Sequence, residues 1–221
     1  MKPKAAISWS GGKDGYLAFR RVRAQFDFTT LITMFDEQAA RSRSHGLRPE
    51  IIERQAQLLN LQPVVGRASW PTYTDEFVRV LHEARASGVT EVVFGDIFGD
   101  QHRDWTEAVC TRAGLRAHLP LWAQPTREIL DEFLATGAEA RIVTVNSKWL
   151  DESWLGRALS AEMLAEFTRL GVDPCGENGE YHTLVTLAPE FAAPLSLNAC
   201  GQVVRDGCFA LDYALGTTRD V

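Results

Sequence analysis

The chain has 221 residues, 45% of them apolar and 24% charged, with a net charge of −6. That length holds one large domain, or a main domain with a smaller appended one, and a core of that size needs neither disulfides nor a structural metal. The acidic balance, with Lys and Arg scattered along the chain, argues against a nucleic-acid binder, which neutralises phosphates with clustered cations. No apolar run is long enough for a membrane span.

In chain order, residues 5–9 form a short apolar run that reads as a buried strand. A glycine-rich turn and a helix over about 14–25 follow. Residues 29–35 give a second, β-branched strand. Pro49 suits the first position of the next helix, whose apolar residues share one face. A third strand is expected at 63–66, a helix over 72–87 stopped by Gly88, a fourth strand at 91–95, and a helix over about 101–113 closed by Gly114. This alternation predicts an α/β fold, a doubly wound parallel sheet with helices on both faces. After residue 120 the pattern changes. Helices are expected over 127–135 and 161–170 with a strand at 140–145 between them, and residues 203–209 read as a hairpin with an Asp-Gly turn. The expected division is a nucleotide-binding domain over 1–120 and a smaller C-terminal α+β, substrate-binding domain over 121–221.

The cysteines, Cys110, Cys175, Cys200 and Cys208, form no CxxC pair and match no zinc spacing. They are expected as free thiols in a cytoplasmic protein, since the N-terminal stretch is too short in apolar residues for a signal peptide.

The chemistry begins where the first strand hands over to the first helix, at Ser10, Gly11, Gly12, Lys13 and Asp14. Two glycines permit a tight turn and let phosphate oxygens approach backbone N–H groups. The helix N-terminus adds unpaired donors and partial positive charge. Lys13 supplies a full charge, and Asp14 is the candidate ligand for magnesium. The pattern GxxxxGK[ST] is absent, so this is a different phosphate loop. Gly95 and Asp96 follow the fourth strand, at the sheet end where ligands of open α/β folds gather. There Asp96 either contacts the ligand or caps the next helix. Farther on, Glu177 and Glu180 flank Asn178 and Gly179, a pair suited to a tight turn that aims both carboxylates into a pocket. Such carboxylates hold or deprotonate an ammonium ion, and His182 transfers protons near neutral pH. A polar turn with solvated glutamates fits the same residues. His45, in the long loop after the second strand, suits either a residue closing over a nucleotide or a surface histidine.

The segment from Ser10 to Asp14 resembles the SGGKDS signature of the PP-loop ATP pyrophosphatases. Gly95-Asp96-Ile97, Pro120-Leu121-Trp122, Leu155-Gly156-Arg157 and above all the run from Cys175 to Thr183 resemble landmarks of the diphthine–ammonia ligase family, so that the likeness covers about residues 4–190. One departure is Gly15, where the family usually has Ser; a hydroxyl that could bond a phosphate is lost and the backbone N–H stays.

The resemblance implies an ATP- and Mg2+-dependent, amide-forming ligase. A substrate carboxylate attacks the α-phosphorus, pyrophosphate leaves, and ammonia displaces AMP. It implies a nucleotide site of Ser10, Gly11, Gly12, Lys13, Asp14, Gly15, Gly95 and Asp96, and a substrate site of Glu177, Asn178, Gly179, Glu180 and Tyr181. Lys13, Asp14, Glu177, Glu180 and His182 carry the chemistry, with magnesium at Asp14. The implied acceptor is a small carboxylate or a modified protein side chain; diphthine carries a quaternary ammonium group, which Trp122, Trp149 and Trp154 could surround, although core packing accounts for tryptophans more often. Two other readings stay open: an RNA-modifying adenylating enzyme of the same superfamily, and a nucleotide-binding sensor without turnover. A homodimer through the C-terminal hairpin is the expected assembly.

Overall fold

The computed structural model describes residues 1–38, 41–43, 45–205 and 207–216. Its first half alternates strand and helix: β1 (Lys4–Ser8), α1 (Lys13–Val22), β2 (Asp27–Asp36), α2 (Pro49–Leu58), β3 (Gln62–Ala68), α3 (Tyr73–Ala86), β4 (Glu91–Val93), α4 (Asp100–Ala113) and β5 (Arg116–His118). The five strands form one parallel sheet in the order β3-β2-β1-β4-β5. Strands covered on both faces read as continuous apolar runs. Accordingly Ala5, Ala6 and Ile7 of β1 and Val92 and Val93 of β4 are all fully buried. The fold class is therefore the expected doubly wound α/β sheet. The three-residue strand β5 was not anticipated; it is too short to carry a period of its own.

This strand order fixes where a ligand can bind. The chain winds outward from β1 through β2 to β3, then returns to place β4 on the other side of β1. The crevice at the carboxyl ends of β1 and β4 lies at the point where winding reverses, which is where open α/β sheets bind ligands.

The second half comprises α5 (Thr126–Ala135), β6 (Glu139–Asn146), a short 3-10 turn at Glu152–Trp154, α6 (Ala161–Leu170), β7 (Tyr181–Leu187), β8 (Leu197–Arg205) and β9 (Cys208–Leu215). The four strands make an antiparallel sheet in the order β7-β6-β9-β8. The hairpin expected at 203–209 is the tip of this longer β8–β9 ribbon, in which Arg205 pairs with Cys208. Asp206 of its expected Asp-Gly turn lies outside the described residues. One apolar cluster runs from Ile7, Tyr16 and Leu17 through Phe133 and Val145 to Phe167, Leu184 and Leu195, so the two sheets share a core. Among the described residues no helix is long and apolar enough to cross a membrane.

Candidate nucleotide site

Backbone bonds draw the two distant motifs together. The Gly11 carbonyl accepts from Val185 N of β7 at 2.9 Å, and Lys13 N donates to Thr183 Oγ1 at 3.1 Å. Gln55 of α2, fully buried, locks the junction: its Nε2 donates to Gly11 O at 3.2 Å and Val185 O at 2.8 Å, while its Oε1 accepts from Trp9 Nε1 at 2.8 Å. The turn after β1 and the start of β7 thus form one wall of a cavity of about 710 Å3 at the carboxyl ends of β1, β2 and β4.

Two glycines permit this closeness. A methyl group on Gly95 would come within 2.7 Å of Gly15 N and 2.9 Å of the Asp14 carbonyl carbon, so only glycine lets the end of β4 lie against α1. A methyl on Gly12 would reach His45 Cε1 at 2.5 Å.

Lys13, only 3% exposed, is the electrostatic centre. Its ammonium donates to Cys175 O at 2.5 Å and Asp14 Oδ2 at 2.8 Å, and it lies 5.4 Å from the Tyr181 ring centroid. Burial is the largest influence and works against this charge, but Asp14, Tyr181 and Cys175 together outweigh it and hold the lysine well above its ordinary range. Burial pushes the Asp14 carboxyl upward against the pull of Lys13. Asp14 Oδ1 is buried and has no hydrogen-bond partner among the described residues. An oxygen left in that state at a cavity wall suits a hard cation. Magnesium is commonly held by one or two carboxylates plus substrate phosphates and water.

Glu177 lines the same cavity. Burial, reinforced by the Asp14 carboxylate, pushes its carboxyl up to about 7. His182 is neutral, driven down to about 4 by burial and by Lys13. His45 stacks on it with ring centroids 4.7 Å apart and 29° between planes.

The cavity wall includes Ser10, Lys13, Asp14, Gly15, Gly95 and Asp96 from the first motif and its companion strand. It also includes Glu177, Gly179, Tyr181 and His182 from the second. Gly11 and Gly12 stand behind that wall. Asn178 and Glu180 lie off it. Glu180 is completely buried, and its oxygens accept from Asp173 N at 3.0 Å, Asn178 N at 2.9 Å and Asn178 Nδ2 at 3.0 Å. Those bonds tie Glu180 to the backbone of its own turn and hold it off the cavity wall.

Sequence reasoning missed several participants. Asp173 Oδ1 accepts from Cys175 N at 2.8 Å and Glu177 N at 3.3 Å, while Thr126 Oγ1 donates to its Oδ2 at 2.7 Å. The Asp-Pro pair opening the motif is a turn signal that could have drawn notice to it. Trp122, Trp149 and Trp154 do not surround the cavity. Trp154 is buried against Phe167, and neither Trp122 nor Trp149 lines the cavity. The aromatic wall is instead Trp70, Tyr73, Phe77 and Trp105 of the α3–α4 side, with Arg43 4.2 Å from the Trp70 ring centroid.

Against this geometry, family comparison is decisive. The diphthamide synthase N-terminal domain matches residues 3–117, more than half of the chain, and the diphthamide synthase C-terminal domain matches residues 125–205. The chain belongs to the diphthamide synthase family. Among curated relatives, the diphthine–ammonia ligase of Danio rerio is 31% identical over 156 residues, covering 66% of this chain and 61% of that protein. That of Schizosaccharomyces pombe is 35% identical over 101 residues, 44% of this chain and 16% of that protein. The chain thus spans less than two thirds of the length of these diphthamide synthase relatives. A solved chain described as a "predicted subunit of tRNA methyltransferase" from Methanocaldococcus jannaschii aligns over 85% of this chain and 98% of its own, at 15% identity and a TM-score of 0.45.

Proposed function

We propose that the chain is an ATP-dependent ligase that adenylates a carboxylate, releases pyrophosphate and joins the acyl group to ammonia. The observation that carries this reading is the convergence of the two motifs: Lys13 of the phosphate loop is hydrogen-bonded to the carbonyl of Cys175, which opens the second motif. A phosphate loop and a carboxylate base facing one cavity are what adenylation followed by amide formation requires.

Each residue then has a task. Lys13 N is held by Thr183 Oγ1, and the next N–H groups at the N-terminus of α1, which Gly12 leaves without a side-chain cap, are offered to phosphate oxygens. Lys13 stabilises negative charge that develops as the bond between the α- and β-phosphates breaks. Asp14, through its unpaired oxygen, would hold magnesium, which when bound neutralises phosphate charge. Glu177, poised near neutrality, binds ammonium as a carboxylate and takes its proton, leaving ammonia free to attack the acyl-adenylate. The carbonyl carbon gains the C–N bond, and AMP leaves with the electron pair of the broken C–O bond. The faces of Trp70 and Tyr73 bind the Arg43 guanidinium, and a cationic acceptor side chain such as diphthine would take its place on them.

The test is exchange of labelled pyrophosphate into ATP, with a diphthine-bearing protein as acceptor and ammonium left out. Adenylation makes exchange acceptor-dependent and ammonium-independent. Exchange that needs ammonium would place nitrogen transfer before or within the first step and refute this order of steps.

A further inference from the structure

Two imidazoles in the cavity wall have no task in that scheme. His45 Nδ1 lies 2.7 Å from Thr183 O. A carbonyl only accepts, so Nδ1 carries the hydrogen and Nε2 keeps a lone pair. Nε2 makes no hydrogen bond among the described residues, and neither ring nitrogen of His182 makes one. The two rings stack, and His45 rests on Gly12, so the pair adjoins the turn that receives phosphates. Its other neighbours fix its place: Thr144 Oγ1 of β6 donates to His45 O at 3.3 Å, and Thr183 bonds both His45 and the backbone of Lys13.

We propose that His45 and His182 complete the binding site for the leaving pyrophosphate and together take up one proton as it binds. This rests on the reading of the cavity as an ATP site. Pyrophosphate carries several negative charges, and Lys13, the cation nearest the turn, is already engaged by Asp14 and Cys175. A second positive charge at the turn would offset much of that burden. The titratable and charged groups sharing the cavity are Lys13 and Asp14 from α1, Cys175, Glu177 and Tyr181 from the second motif, Arg43 from the loop of His45, and Tyr73, Asp96 and His102 from the opposite side; of these Lys13 acts on both rings. Without an anion, burial and Lys13 keep both rings neutral. A bound polyanion reverses the sign of the local field and favours the imidazolium. Rings this close hold one proton between them, because two like charges at that separation repel.

The sign follows from linkage. A ligand that raises a group's proton affinity binds more tightly as pH falls, about tenfold per unit for one proton. Calorimetric titration of the full chain with inorganic pyrophosphate, in two buffers of different ionisation enthalpy, reads the proton count directly. The wild type is expected to take up about one more proton per ligand than the double variant His45→Asn with His182→Gln. The carboxamide at position 45 would keep a donor for Thr183 O, so the loop stays anchored. Histidine Cε1 shifts of the wild type, recorded with and without pyrophosphate, answer the same question without a substitution, and both rings should move toward the imidazolium position. Equal proton counts in wild type and variants, or histidine shifts that stay put while pyrophosphate binds, would overturn the paired site and leave the ATP site standing. No pyrophosphate or ATP binding at any pH would overturn both.

Discussion

Glu177 changes charge near neutral pH, and its position makes the sign of its effect definite. Its carboxyl is raised to about 7 by burial and by Asp14, and a general base works only as the carboxylate. At a fixed concentration of ammonium, kcat/KM should therefore rise about tenfold per pH unit below 7 and level off above it. Glu177→Gln should remove that limb, and an unchanged inflection in the variant would assign it elsewhere. Gly15 offers a second test. A methyl there would meet Ser8 O at 3.6 Å and Trp9 Cε3 at 3.8 Å, ordinary contacts that leave room for a side chain. Gly15→Ser should fold normally, gain about 0.5 kcal/mol from better helix propensity, and raise kcat if the hydroxyl reaches a phosphate. Thermal melts and steady-state kinetics separate the two effects. Glu180 shows why charge type alone did not reveal a role at this scale. Two glutamates three residues apart look alike in sequence, yet the turn aims one at the cavity and spends the other on its own amides.

At the scale of elements, the segment after β2 depends on the second sheet for its position. Asp212 of β9 accepts from Arg41 Nη1 at 2.6 Å and from Arg48 Nε and Nη2 at 3.0 and 2.6 Å. Those arginines bracket Arg43 and His45. The bond from Arg48, then that from Arg41, holds the Asp212 carboxyl well below the usual carboxylate range. The stabilisation is therefore fully present above the ordinary Asp range and is lost only as pH falls through the depressed value. Asp212→Asn should weaken ATP binding about tenfold, equivalent to about 1.4 kcal/mol, and by the same factor at pH 6 and pH 8. Calorimetry at the two values checks both statements. The regular elements of the first half were legible because buried parallel strands and amphipathic helices print their periods on the chain. Strand β7 was not, since Tyr181, His182 and Thr183 line the cavity from an element whose partner, β6, lies some forty residues earlier. The aromatic wall was hidden for a related reason: Trp70, Tyr73 and Trp105 come from two different helix ends, and only the packing of α3 on α4 assembles them.

The whole molecule is organised around one junction. A parallel sheet places the phosphate loop where its winding reverses, and an antiparallel sheet brings the second motif onto it through Gln55, Thr183 and Val185. The motifs and their order were visible in the chain; that they meet at Lys13 required the fold, because about 160 residues separate Lys13 from Cys175. In the function proposed above, this junction breaks ATP between its α- and β-phosphates. The most direct measurement incubates the chain with magnesium ATP, ammonium and a pool of cell metabolites and proteins, and separates the nucleotide products beside a Lys13→Ala control. AMP and pyrophosphate in equal amounts, both lost in the control, are the expected result. ADP and phosphate, or AMP production that survives removal of Lys13, would contradict it.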